Sequence, residues 1–99
     1  MSFAEATSVT RGTTAPPPSH LERFDATITE GWDILGNANG GYVLATVARA
    51  LSSALGRPDP ITITAHYLRP VGSGPAVIDV EKVREGRTLA TATARLSRD

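Results

Sequence analysis

A pair of glycines follows an asparagine-rich turn and opens the most apolar helix that the sequence predicts. Asn37 and Asn39 precede Gly40 and Gly41, and small and aliphatic residues continue to Gly56. The first amides of a helix have no intrahelical acceptor, and glycine lets a ligand approach the backbone closely. This helix start suits an anion or a polarised carbonyl oxygen. The backbone amides of Gly40 and Gly41 are therefore candidate oxyanion donors; alternatively, the glycines only let the loop turn and the helix dock.

Other polar residues near this helix give no clear acid or base. Asn37 and Asn39 are candidates for binding a substrate amide or orienting a water, although asparagine is also preferred at helix caps and turns. Glu30 and Asp33 are the nearest carboxylates upstream of the helix. A general base must come within hydrogen-bond reach of the proton that it removes, and the sequence cannot establish this for either residue.

The remaining candidates are two histidines, two arginines and a tryptophan. His20 and His66 are too few and too scattered to predict a metal site, and the chain has no cysteine. For His66 a surface or interface position is favoured over proton transfer. Arg69 and Arg49 are candidate phosphate ligands. The alternative for Arg69 is a surface charge at the end of a strand. The alternative for Arg49 is a side chain that extends from the helix into solvent or pairs with an acid. Trp32 either lines an apolar pocket or fills a core or interface.

The predicted helix, from Gly40 to Gly56, is apolar almost all the way round. A helix apolar on most faces is buried, so we expect a sheet that curls around it. Its polar residues share one face, which we expect to meet a partner domain or water: Tyr42, Thr46, Arg49 and Ser53. A membrane span is rejected, because about 23 Å at 1.5 Å per residue is too short and the helix carries an arginine.

Four strands are predicted, and together with the helix they give an α+β layer arrangement. The predicted strands are Leu21–Glu30, Ile61–Arg69, Ala76–Arg84 and Arg87–Arg98. The second has many β-branched residues, and the fourth places small alanines on one face, where a helix can approach closely.

A bulge and a connecting hairpin are predicted for the last two strands. Val83 is out of phase with Ile78 and Val80, which predicts a bulge near Glu81–Lys82. A hairpin is expected at Glu85-Gly86.

Length and composition limit the chain to one small domain. It has 99 residues and a formal net charge of zero. No basic run indicates nucleic acid as a partner, and no secretory segment opens the chain, so a cytoplasmic location is expected.

Residues 1–20, rich in Thr, Ala and Pro, are expected to be a disordered arm, and residues 21–99 a partial domain. Four strands leave an open edge, so we expect self-association or a second domain, and a longer protein or a shortened gene product.

Three segments, in this order, resemble the thioesterase-like branch of the hotdog superfamily. The first runs from Trp32 to Tyr42 and holds the glycine-rich entry to the helix. The second, Thr64–Pro70, is similar to an "aromatic-Leu-Arg-Pro" strand end, and the third, Val80–Thr91, to a "basic-x-Gly-Arg" hairpin. Together they resemble the N-terminal hotdog of acyl-CoA thioesterase II-type double-hotdog proteins over roughly Phe24 to Asp99.

The resemblance implies a hotdog fold, with a helix wrapped by a curved antiparallel sheet and paired with a second hotdog. It also implies hydrolysis of an acyl thioester, usually acyl-CoA, with no cofactor beyond the CoA of the substrate. In that enzyme type the catalytic Asp, Thr or Ser, and Gln belong to the second hotdog, which this sequence does not contain. Thr64 stands where that enzyme type can carry a histidine, and His66 lies two positions later.

Three functions follow as hypotheses. The first is an acyl-CoA thioesterase subunit or fragment that polarises a thioester carbonyl at Gly40 and Gly41, with Asn37, Asn39, Trp32 and Arg69 binding substrate. The second is a non-catalytic acyl-binding or structural half. The third, a hydratase-type or dehydratase-type hotdog, ranks last, because it needs a histidine beside an acid at the site. The fold alone does not decide among them.

Overall fold

The computed structural model describes residues 2–12, 21–34, 37–57, 59–60 and 62–98. The elements, in chain order, are α1 (Phe3–Ala6), β1 (Val9–Arg11), β2 (Glu22–Ile28), β3 (Asp33–Ile34), β4 (Asn37–Ala38), α2 (Gly40–Leu55), β5 (Gly74–Glu85) and β6 (Ala90–Ser97). An antiparallel sheet has the order β1-β2-β5-β6, and β3 and β4 form a separate two-stranded ribbon. The predicted α+β arrangement, one long helix on a four-stranded antiparallel sheet, is confirmed.

The core lies between α2 and the two central strands. Phe24 and Ile28 of β2 point into it, as the alternation predicts, and Phe24 pairs in register with Ile78 of β5. Ile78 and Val80 are completely buried. From the neighbouring strand β6, small or half-buried side chains reach the same core: Ala92, Ala94 and Leu96. The predicted inward face of the fourth strand is therefore confirmed, and its alanines leave room for α2.

The ends of α2 follow the sequence signals. The Asn39 side chain accepts a hydrogen bond from the Gly41 amide at 2.8 Å, which makes Asn39 the N-cap. Gly56 ends the helix with a φ of 66°, a left-handed conformation that glycine adopts without steric cost. Neither α1 nor α2 is long and apolar enough to cross a membrane.

The polar face predicted for α2 is partly wrong. Arg49 and Ser53 are exposed, but Tyr42 and Thr46 are buried at 2% and 0% exposure. Both hydroxyl groups find partners inside the protein, since Thr46 donates to the Tyr42 carbonyl at 3.0 Å and Tyr42 donates to the Ala6 carbonyl at 2.9 Å. A satisfied hydroxyl can be buried at little cost. Polar residue type therefore did not predict exposure here.

The predicted bulge and hairpin are both present in the pair formed by β5 and β6. The register shifts between Lys82 and Arg84, so Val83 is the inserted residue. The bulge does not turn Val83 into the core, since that side chain is 59% exposed. The hairpin loop is closed by a hydrogen bond from the Gly86 amide to the Leu89 carbonyl at 2.8 Å.

The strand predicted at Ile61–Arg69 is wrong. Residues 62–70 form no strand and are exposed throughout, with Tyr67 at 56% and Leu68 at 86% exposure; Ile61 lies outside the described residues. A strand needs the hydrogen bonds of a neighbour, and residues 62–70 pair with none of the described strands. The β-branched composition therefore predicted a strand without predicting a neighbour for it.

The arm predicted as disordered over residues 1–20 is also corrected in its first part. Ser2 caps the short helix α1 through a capping box with Glu5, and β1 extends the sheet by pairing with β2. Ala6 and Thr7 are each only 2% exposed. Few apolar residues are needed here, because the segment is held largely by backbone hydrogen bonds. Residues 13–20 lie outside the described part of the chain.

Candidate functional site

The predicted glycine pair lies at the exposed N-terminus of α2. Gly40 and Gly41 are both exposed, and Gly40 presents the first amide of the helix. The Gly41 amide donates to the side-chain oxygen of its cap, Asn39. Of the two candidate donors, Gly41 is therefore occupied by the cap, while no acceptor among the described residues bonds the Gly40 amide.

Tyr67, from the exposed segment 62–70, lies over this helix start. Its hydroxyl group donates to the Gly40 carbonyl oxygen at 2.7 Å. A β-carbon added at Gly40 would come to 3.5 Å from the ring of Tyr67, which is ordinary van der Waals contact. Tyr67 thus forms one wall of the surface beside the glycines.

Trp32 belongs to an aromatic cluster beside the same helix start. Its ring centroid lies 5.1 Å from that of Phe3 in an edge-to-face arrangement and 6.1 Å from that of Tyr42. The backbone carbonyl of Trp32 accepts from the Asn39 amide at 2.9 Å, which holds the turn before the helix. Trp32 is half-buried. Of the two roles weighed for it, packing is what the structure shows.

The hydroxyl group of Tyr42 joins three elements behind the site. It accepts from the Thr29 amide at 2.9 Å, just after β2, and donates to the carbonyl of Ala6 at the end of α1. The first turn of α2 is therefore fixed to both β2 and the N-terminal segment. Buried hydrogen bonds of this kind limit how far an element can shift.

The structure does not gather the other predicted residues into one constellation. Asn37 lies in β4, in register with Ile34 of β3, and Glu30 is exposed in the turn after β2. His66 and Arg69 lie in the exposed segment 62–70, and His20 is outside the described residues. Asp33 occupies β3. No group of three or more His, Cys, Asp or Glu residues that could hold a metal occurs in the described ranges.

Arg49 has a role that the sequence did not predict. Its guanidinium donates to the Ala4 carbonyl at 3.0 Å and to the Thr7 hydroxyl at 3.2 Å, so it fastens α1 to α2. Phe3 was also missed, because a single aromatic residue in a Thr- and Ala-rich segment carries no periodic signal. The capping pattern Ser2-x-x-Glu5 was the signal that could have indicated order in that segment.

Two shallow depressions on the described part of the surface are lined by residues other than the glycine pair. One is lined by residues of the N-terminal segment and β2, and the other lies near the C-terminus of α2 beside Arg49, Ser53 and Arg57. Glu22, a carboxylate with a perturbed pKa, lies at the start of β2, away from the glycines. Burial alone would raise the pKa of Glu22, but hydrogen bonds and charges from Arg11 and Lys82 outweigh it, so that pKa is lowered.

A long helix packed on an antiparallel sheet, with a glycine pair at its N-terminus, defines an α+β domain of the hotdog type. The model of the family described as "Acyl-CoA thioesterase N-terminal domain" matches residues 28–99. The chain belongs to this family, as the sequence resemblance predicted.

Comparison with individual proteins agrees with the family. The chain is similar to the "Thioesterase-like protein TwmA" of Talaromyces wortmannii, with 38% identity over 76 residues. The match covers 74% of this chain but 21% of that protein, so the chain spans about a fifth of its length. No solved structure matches the chain. Family and relative together support a thioesterase-type function.

Proposed function

We propose that this domain takes part in the hydrolysis of an acyl-CoA thioester to a free acid and CoA. The observation that carries the proposal is the exposed glycine pair at the N-terminus of α2, in a chain of the acyl-CoA thioesterase N-terminal domain family. The carbonyl oxygen of a thioester gains negative charge as water attacks. A preorganised backbone amide stabilises that charge and contributes on the order of 3 kcal/mol to lowering the barrier.

The Gly40 amide is the first donor in this proposal, because no described acceptor competes for it. The Gly41 amide becomes the second donor when the Asn39 side chain turns away and the thioester oxygen takes its place. A carboxamide cap and a carbonyl oxygen present the same kind of acceptor to the helix, so this exchange replaces one hydrogen bond by another.

The remaining predicted residues supply contacts to the two ends of the substrate. Trp32 offers an apolar ring close to the helix start, suited to the acyl chain. Arg69 is exposed and makes no ion pair with any described residue, which leaves its guanidinium available for a CoA phosphate. Asn37 and Asn39 are proposed to bind polar groups of the substrate.

A second hotdog is proposed to complete the active site. In this proposal the second hotdog supplies the group that activates water, while the described residues around the glycine pair, Asn39 and Tyr67, supply no carboxylate or histidine.

One observation favours a second candidate function, a non-catalytic acyl-binding or structural half. The Gly41 amide is already capped, and the Tyr67 hydroxyl holds the carbonyl of the same peptide unit. This peptide unit, satisfied at both its amide and its carbonyl, needs no ligand. In this alternative the domain binds acyl-CoA or supports a partner without polarising the thioester.

Gly40→Val tests the catalytic proposal. The β-branched side chain would block the approach of a thioester to the first amide, while the space at Gly40 admits a β-carbon without displacing backbone. We expect thioester hydrolysis to fall by on the order of 100-fold with little loss of stability. Release of free CoA from acyl-CoA esters of several chain lengths measures it, using this chain together with a second hotdog domain.

Ala48→Val provides the matched control, since it places valine in the middle of the same helix and away from the glycines. Unchanged hydrolysis in Gly40→Val would remove the oxyanion role. Binding of acyl-CoA without any turnover, in both the original chain and the control, would favour the non-catalytic alternative.

A further inference from the structure

The peptide unit between Gly40 and Gly41 carries both a candidate oxyanion donor and a bond from Tyr67. The Gly41 amide belongs to the same planar unit as the Gly40 carbonyl oxygen, which accepts from the Tyr67 hydroxyl group at 2.7 Å. A carbonyl oxygen has two lone pairs, so this bond can be added to an intrahelical one. The hydroxyl group and the acceptor of the amide therefore bind opposite ends of one unit and do not compete.

Hydrogen bonds that share a peptide unit strengthen one another. A donor on the carbonyl oxygen draws electron density through the peptide resonance and makes the amide hydrogen more positive, by about 10–30% in bond strength. The Tyr67 hydroxyl group therefore makes the Gly41 amide a better donor. The gain is largest toward an acceptor that carries negative charge, as the oxygen of a thioester does while water attacks.

The start of α2 is only weakly fixed by its own sequence. Glycine loses more backbone freedom on folding than any other residue, and two glycines stand together here. The short helix α1 has a complete capping box, whereas α2 has no acidic residue in its first turn and is capped by Asn39 alone. Among the described residues, Tyr67 is the side chain from another segment that bonds the glycine peptide.

This bond lies where it can add little to the stability of the fold. Tyr67 is exposed, as are its neighbours throughout segment 62–70. An exposed contact of this kind contributes little to the free energy of unfolding. The ring nevertheless lies close to the glycines, since a β-carbon at Gly40 would be 3.5 Å from it. The position of Tyr67 therefore suits an effect on the peptide better than support of the fold.

We propose that Tyr67 is a positioning residue for thioester hydrolysis, an inference that rests on the proposed function. Its hydroxyl group holds and polarises the peptide unit of Gly40 and Gly41. The Gly41 amide then points to the thioester oxygen once the Asn39 side chain has turned away. Tyr67 touches no reacting atom. Because it acts through the peptide, its loss weakens stabilisation of the transition state more than binding of the substrate.

Tyr67→Phe tests the proposal, since it keeps the ring and removes the hydroxyl group. We expect kcat for acyl-CoA hydrolysis to fall about three- to tenfold, as for loss of one neutral hydrogen bond, and KM to change less than about twofold. Release of free CoA measures both constants, with this chain and a second hotdog domain. Thr62→Val is the matched control: it removes an exposed hydroxyl group from the same segment and should leave both constants unchanged.

The double variant Gly40→Val/Tyr67→Phe separates positioning from a structural role. Valine at position 40 already keeps the thioester from the glycine peptide, so removal of the Tyr67 hydroxyl group should then change hydrolysis less than about twofold. A structural role would instead give the same loss in both backgrounds. Equal losses would overturn the proposal.

NMR of the full chain with isotope-labelled glycine gives a readout that does not depend on activity. In Tyr67→Phe the Gly41 amide proton should move upfield, because its peptide is less polarised, while the signal of Gly56 at the other end of α2 stays in place. An unmoved Gly41 signal would overturn the proposal.

The two glycine-site variants also distinguish this proposal from the function on which it rests. Unchanged kcat in Tyr67→Phe, together with lost activity in Gly40→Val, would overturn the role of Tyr67 and leave the proposed function standing. Full activity in both variants would overturn the proposed function and the role of Tyr67 with it.

Discussion

At the scale of single residues, Tyr42 links the candidate site to the rest of the fold. It lies in the first turn of α2, yet its hydroxyl group reaches the end of β2 and the end of α1. The ring packs among Ala6, Ile28 and Ala76 and contacts Trp32. Any displacement of the helix start must therefore break buried hydrogen bonds as well as apolar contacts.

Tyr42→Phe should destabilise the protein by about 1–2 kcal/mol, because it keeps the ring but leaves the Thr29 amide and the Ala6 carbonyl without a buried partner. Urea unfolding monitored by circular dichroism measures the change. Tyr67→Phe is the control: its hydroxyl bond to Gly40 is exposed and should contribute less than about 0.5 kcal/mol. Equal losses would show that burial of the Tyr42 hydroxyl has no special weight.

A second residue-scale prediction concerns pH. The folded protein holds the pKa of Glu22 below its ordinary value, since the bonds from Arg11 and Lys82 outweigh the effect of burial. A lowered pKa stabilises the folded state above the unfolded pKa of about 4.3, and this stabilisation is lost as the pH falls through the folded pKa. Glu22 is partly exposed, so the contribution is below about 1 kcal/mol.

Glu22→Gln should therefore lower the free energy of unfolding at neutral pH, and the difference from the original chain should shrink as the solution is acidified below about pH 4. Chemical denaturation at a series of pH values gives the curve. Glu81→Gln, at an exposed position of β5 and without an ion pair to any described residue, serves as the control. A difference that grows on acidification would contradict the assignment.

At the scale of elements, the end of α2 depends on one backbone conformation. Gly56 has a φ of 66°, and a β-carbon there would meet no atom within 4 Å. Gly56→Ala should consequently cost about 1 kcal/mol through backbone strain alone. Gly72→Ala is a suitable comparison, because its backbone is not left-handed and the added carbon meets only an ordinary contact. Thermal unfolding of both variants tests this, and equal midpoints would contradict the strain.

The elements also show how far the sequence determines this fold. β2 and β6 were predicted because each carries a periodic apolar face, as in Phe24, Ala26 and Ile28 of β2. The helix α2 was predicted from a long apolar run with clear signals at both ends. The order in α1 and β1 was missed, because it rests on caps and strand pairing rather than on apolar periodicity. The strand predicted after Pro60 was wrong for the opposite reason. The composition of that segment suits a strand, but a strand also requires a neighbour.

The candidate site was predictable only in part. The glycine pair and its asparagine cap follow from local signals, because the start of a helix depends on a few adjacent residues. The contact of Tyr67 with Gly40 was not predicted, because it joins residues 27 positions apart. The capture of the Gly41 amide by Asn39 likewise depends on a side-chain rotamer that the sequence does not specify.

At the scale of the whole molecule, the folded unit begins earlier in the chain than the match to the family model. The family model begins at residue 28, the last residue of β2. β2 nevertheless lies inside the sheet, pairs with β5 over seven residues and contributes Phe24 and Ala26 to the core. The segment before it adds the edge strand β1 to the same sheet and the short helix α1, which is held by hydrogen bonds from Arg49.

A chain that begins at residue 28 should therefore fail to fold. It loses a central strand and the apolar side chains that cover Ile78. It also loses the cross-strand ion pair of Arg23 with Asp79, whose side chains are joined by nitrogen–oxygen contacts of 2.7 and 3.1 Å. Burial of a large apolar side chain such as Phe24 alone contributes about 1.5–3 kcal/mol, a large share of the stability of a small domain. We expect no cooperative thermal transition.

A chain that begins at residue 21 separates this effect from simple shortening. It keeps β2 but lacks α1 and β1, so it loses the Phe3–Trp32 contact and the bonds made by Arg49. It should retain a cooperative transition at a lower midpoint, because the core between β2, β5 and α2 stays intact. If the chain beginning at residue 28 unfolded as cooperatively as this one, β2 would not be part of the folding unit, and the sheet order described above would need to be replaced.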